Sequence, residues 1–135
     1  MQHGLRFLVC GCCLLLPPKT IAQSTNACPP VATLPDKAGW ETAAATYTAR
    51  QDGNAVIVTA TGENPTAGFK VQLAREAVKI FPPKLALYRK PPGGIAAQVI
   101  TPFTVCATFK AGQHVAAVTV RDSKGEHRVT VESPR

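Results

Sequence analysis

Short runs of β-branched residues, closed by turn formers at intervals of about eight to twelve residues, constrain this chain more than any other feature. The stretch from Asn54 to Thr61 (NAVIVTAT) is almost continuous in such residues and is bounded by Asp52-Gly53 and Gly62. Side chains branched at Cβ lose rotamer freedom in a helix and fit a pleated surface. Near the C-terminus, His114 to Arg121 and Glu126 to Glu132 are both rich in Val and Thr. Asp122-Ser123-Lys124-Gly125 joins them and predicts a type I turn with glycine in the left-handed position.

Between these segments, Phe69, Val71 and Leu73 alternate with Lys70, Gln72 and Ala74, the period of a half-buried strand. Arg75 to Phe81 is expected to continue that strand after a bend, until Pro82-Pro83 ends it. Leu85 and Leu87 alternate with Lys84, Ala86 and Tyr88 in a further short strand. Pro91-Pro92-Gly93-Gly94 reads as a loop. Gln98 to Thr101 is extended, Pro102 punctuates it, and Thr104 to Phe109 resumes. Thr42 to Thr48 completes the set, weakened by three alanines. No segment has a convincing helical period and there is no internal repeat. The expected fold is therefore all-β, an immunoglobulin-like β-sandwich of about seven strands over residues 40–135. Residues 23–39, with Pro29, Pro30 and Pro35, form an irregular proline-rich lead-in, and Trp40 is expected to pack rather than bind.

Residues 1–22 have the order of a secretory signal peptide. Arg6 gives a positive start, Phe7 to Leu16 is a short apolar run, and Pro17-Pro18 breaks it. Small residues Thr20 and Ala22 precede a cut before Gln23. The run is shorter than the roughly 20 residues a membrane-spanning helix needs. The expected location is exported, periplasmic or extracellular. A second processing route starts from Val9-Cys10-Gly11-Cys12, which loosely matches a lipoprotein box. Lipidation at Cys12 would make the chain membrane-anchored.

Of the five cysteines, Cys28 and Cys106 lie beyond residue 22. In an exported domain they predict one disulfide, worth about 2–4 kcal/mol for a long closed loop. Val105 and Ala107 offer no cation to stabilise a reactive thiolate at Cys106.

The formal net charge is +7. Lys70, Arg75, Lys79, Lys84, Arg89 and Lys90 crowd into residues 70–90 with Glu76 as the sole acid there. This stretch reads either as a solvated sheet face that discourages edge pairing or as a cationic patch for an anionic partner, with Lys70, Lys79, Lys84, Arg89 and Lys90 as its residues. Tyr88 is the only outward aromatic expected there, so nucleic acid is not the expected partner. A protein or an anionic surface is. His114 and His127 fall near opposite ends of the terminal hairpin, and no zinc-protease, paired-cysteine or nucleophile-elbow motif occurs. No catalytic residue, metal or cofactor is expected, and the chain reads as a non-catalytic binding domain.

The segment Asn64-Pro65-Thr66-Ala67-Gly68-Phe69 lies between two expected strands. Pro65 fixes its own φ and extends Asn64, while Gly68 permits a positive φ. These residues should form a preset loop with Thr66 at its tip. The segment resembles the signature loop of the chagasin-like inhibitors of papain-type cysteine proteases, which reads Asn-Pro-Thr-Thr-Gly followed by an aromatic. Asn64, Pro65, Thr66, Gly68 and Phe69 match, and Ala67 replaces the second Thr. The resemblance implies an immunoglobulin-like domain whose loop tip enters the protease cleft beside a glycine-rich loop, for which Gly93 and Gly94 could stand. The family's Arg-Pro-aromatic loop has no match, since Arg121 is followed by Asp122-Ser123, and the family's tryptophan after the first loop is absent.

Overall fold

The computed structural model describes residues 28–134. The signal-peptide and Cys12 expectations lie outside them. The described chain is all-β. Its strands are β1 (Glu41–Thr42), β2 (Thr46–Asp52), β3 (Ala55–Asn64), β4 (Lys70–Arg75), β5 (Leu85–Lys90), β6 (Thr101–Lys110), β7 (Ala117–Asp122) and β8 (Gly125–Glu132). They hydrogen-bond in one curled path, β1-β5-β7-β8-β2-β3-β6, with β4 on β5.

The curl is made by β8. Its first part pairs antiparallel with β7, from Gly125 opposite Asp122 to Thr130 opposite Ala117. Its last two residues, Val131 and Glu132, pair parallel with Ala49 and Arg50 of β2. One limb is thus β8-β2-β3-β6 and the other β4-β5-β7-β8. Val56, Val58 and Ala60 of the first limb share a single core with Leu73, Leu85, Leu87, Val118 and Val120 of the second. At β3 the buried positions alternate as the period-2 pattern requires.

Four details differ from the sequence expectation. β4 stops at Arg75 rather than running on to Phe81. The Glu76 N–H turns to the Lys84 carbonyl, and the Glu76 carboxylate pairs with Arg121. β6 runs straight through Pro102, because it is the last strand of the path and a missing N–H is tolerated at an edge. β7 begins at Ala117, three residues after His114. Tyr88 is buried rather than outward, because β5 is covered on both faces: Leu85 and Leu87 enter the main core, while Ala86 and Tyr88 pack with Ala74, Leu34 and Trp40.

That second cover comes from the lead-in. Cys28 is bonded to Cys106 with a Cα–Cα distance of 5.2 Å. Thr108 and Val31 then exchange backbone bonds with the lead-in and β6, and the Arg75 N–H donates to the Ala32 carbonyl. The segment crosses from the edge of one limb to the edge of the other and buries Leu34 on the way.

Candidate functional site

The register of the two limbs brings two expected loops together. Asn64 at the end of β3 faces Thr101 at the start of β6. Lys70 at the start of β4 faces Lys90 at the end of β5. The 65–69 loop and the 91–100 loop therefore cross between the limbs side by side. The Ala67 N–H donates to the Ala97 carbonyl at 3.2 Å. Gly68 has φ +88°, and a Cβ there would meet the Pro92 side chain at 2.9 Å. Glycine is needed on both counts, for the positive φ and for the close approach.

The motif residues divide between strand and loop. Asn64 is buried as the last residue of β3, so the presented tip is Pro65 to Gly68. Thr66 is half-buried, and its hydroxyl donates to the Ala67 carbonyl at 3.3 Å. Phe69 lies under the Arg89 guanidinium, 4.9 Å from ring centroid to Cζ. Arg89 Nε also donates to Glu41 Oε2 at 2.8 Å and Nη1 to Asn64 Oδ1 at 3.4 Å. Arg89 is thus a strut that ties β1, β3 and the loop base to β5. Gly93 and Gly94 are exposed with open space where a side chain would grow. Beside them Ile95, Val99 and Ile100 are exposed, Ile95 completely.

The basic stretch does not form one patch. Lys70 and Lys90 sit opposite one another at this loop end, where two like charges repel unless an anion lies near. Lys79 lies in the loop between β4 and β5, at the other end of those strands, and Lys84 beside it is ion-paired with Glu126.

The β7–β8 turn points toward the same end as the loops, since β7 runs parallel to β5. It is level with Leu87 through Ala43, whose N–H donates to Leu87 and whose carbonyl accepts from Ser123. That is about 10 Å short of Lys90 along the strand. Arg121 lies farther back, opposite Ala86 of β5, where it is held by Glu76 and donates to the Tyr88 hydroxyl at 2.9 Å.

One polar cluster was not legible in the sequence. The Asp122 carboxylate accepts from the Tyr47 hydroxyl at 2.6 Å and the Lys124 N–H at 2.8 Å, and pairs with His127 Nε2 at 2.9 Å. Burial pushes its pKa up, but the Tyr47, Lys124 and His127 contacts outweigh this and hold it below the ordinary carboxylate value. Burial, together with donation to Asp122, raises the Tyr47 phenol far above its usual range, so it stays a donor. The Asp122 side chain is 1% exposed, while its partner His127 is 38% exposed. The cluster fastens the hairpin turn to β2. Among the described residues no group of three or more His, Cys, Asp or Glu side chains could hold a metal ion. Comparison with protein-family models, with curated proteins and with solved structures finds no match for this chain.

Proposed function

We propose that the protein is an exported, non-catalytic binding domain that meets a partner protein with the end formed by the 64–69 and 91–100 loops. The observation that carries this reading is the exposed apolar group Ile95, Val99 and Ile100, set beside a loop held in shape by Pro65, Gly68 and the Ala67–Ala97 bond. Large apolar side chains exposed along one loop of a small domain suit a contact site, and a preset loop loses little entropy on contact. Lys70 and Lys90 at the rim favour a partner with acidic groups around an apolar surface. The disulfide is compatible with an oxidising compartment. The test is affinity capture from periplasm or medium with the parent chain and with Ile95→Asp. The expected result is a partner retained by the parent, released by salt and lost in the variant. Reproducible turnover of a substrate would overturn the non-catalytic reading.

A second reading is inhibition of papain-like cysteine proteases by the tip around Thr66, on an immunoglobulin-like frame. It is favoured by the placement of the matched motif and Gly93-Gly94 side by side at one end. Arg121 is held by Glu76 and Tyr88 away from that end, and Arg89 there is engaged by Glu41, Asn64 and Phe69, so neither arginine is free to meet a protease. Since such groups supply much of the energy of interfaces, inhibition is expected at about micromolar level, near −8 kcal/mol. Residual papain activity against rising protein concentration measures it, and Thr66→Arg should abolish it by steric and charge clash. Papain left fully active at roughly 100 μM, where micromolar binding would be saturated, removes this reading.

A further inference from the structure

We propose that the loop between β4 and β5, residues 76–84, is a contact element for an anionic phospholipid surface. The loop lies at the end of the molecule opposite the 64–69 loop, because β4 closes at Arg75 opposite Leu85. Its tip presents Val78, Ile80 and Phe81 at 46%, 49% and 53% exposure. Pro83 is buried and anchors the loop from below, and the Phe81 ring meets Phe109 edge-on at 6.0 Å.

The charges around this tip that have no ion-pair partner are of one sign. Arg75 and Lys79 are exposed, and among the described residues no carboxylate lies within ion-pair distance of either. Glu76, the only acid in the loop, is taken by Arg121. Arg128 is exposed and lines one groove with Ile80, Phe81 and the Lys84–Glu126 ion pair, whose charges cancel. Lys110 follows Phe109 at the end of β6 and is also exposed. Apolar side chains that can enter the headgroup region, ringed by cations that can meet lipid phosphates, are the two requirements for interfacial attachment. The like sign of the unpaired charges Arg75, Lys79 and Arg128 opposes pairing with a second copy of the chain. The attachment does not depend on the partner proposed for the opposite end, which it would leave facing away from the membrane.

Flotation of the full chain with vesicles tests this. One set is phosphatidylcholine alone and the other contains about a third phosphatidylglycerol. The variants are Val78→Asp/Ile80→Asp, Lys79→Glu and, at the far end, Ile95→Asp. All keep the same N-terminal residues, so any membrane affinity of the apolar 7–16 run is common to them. The parent should favour anionic over neutral vesicles by about tenfold or more. The double variant should lose about tenfold in partition, and Lys79→Glu about fivefold with a weaker salt dependence. Ile95→Asp should match the parent. Equal partition of the parent to both vesicles would overturn the proposal, as would a double variant that is folded by circular dichroism and partitions like the parent. A lipid-free dimer that dissolves in the double variant would also overturn it, assigning the tip to a second copy. If the double variant fails to fold, Lys79→Glu decides, because an exposed side chain with no ion-pair partner can be reversed without disturbing the core.

Discussion

The Asp122 carboxylate joins the terminal hairpin turn to β2 by accepting from the Tyr47 hydroxyl at 2.6 Å. The place of Asp122 at the start of the Asp-Ser-Lys-Gly turn follows from the sequence, since an Asp there can bond the backbone two residues on, as it does to the Lys124 N–H. The Tyr47 hydroxyl lies 75 residues away in sequence, and nothing local points to it. The folded-state pKa of Asp122 lies below the unfolded value, so its contribution to stability is present above about pH 4 and is lost as pH falls through the folded value. Asp122→Asn should lower stability at neutral pH by about 1–3 kcal/mol. Urea unfolding across pH should show the gap between parent and variant closing on acidification. The glycines divide equally clearly. A Cβ at Gly62 would meet the Ala44 carbonyl and the Phe103 ring, each at 2.8 Å, whereas Gly94 has open space. Gly62→Ala should therefore destabilise by about 1–3 kcal/mol, with Gly94→Ala within about 0.5 kcal/mol of the parent, both read from urea midpoints.

At the scale of elements, the β-branched runs and the terminal hairpin were legible because their signals are local. Among the described residues no non-glycine residue has a positive φ, and Gly125 carries φ +116°, as the turn chemistry requires. The errors lie where tertiary contacts decide. β5 has a two-residue alternation, but Ala86 and Tyr88 on its second face are covered by Leu34 and Trp40 from the lead-in. Periodicity cannot show that a distant segment caps a strand. Leu34→Ala should accordingly cost about 2–4 kcal/mol, measured by the same unfolding curves. The lead-in is fastened by the disulfide to an edge that would otherwise be bare. Cys28→Ser/Cys106→Ser should lower stability by about 2–4 kcal/mol. Hydrogen exchange should quicken first at Val31, Thr108 and Arg75, whose N–H groups bond across this seam.

For the whole molecule, the placement of the loops is set by the crossing of β8 between the limbs and by the pairing of β3 with β6 and β4 with β5. Pro65 and Gly68 announced a stiff loop, and Pro91 to Gly94 announced another. Their adjacency depends on a register that no local pattern encodes. The basic stretch was legible as composition but not as a surface, because strands β4 and β5 carry Lys70 and Lys90 to one end while Lys79 and Lys84 lie at the other. The exposed Ile95, Val99 and Ile100 had no sequence signal at all, since apolar residues in a strand-rich chain are normally assigned to the core. The loop end as the contact surface is tested most directly by site-resolved photo-crosslinking in the producing cell, with the reactive side chain placed at Ile95, at Thr66 or, as the control, at Thr130 on β8. Adducts with one partner at Ile95 and Thr66, and none at Thr130, are the expected result. A partner crosslinked from Thr130 while both loop positions stay silent would contradict it.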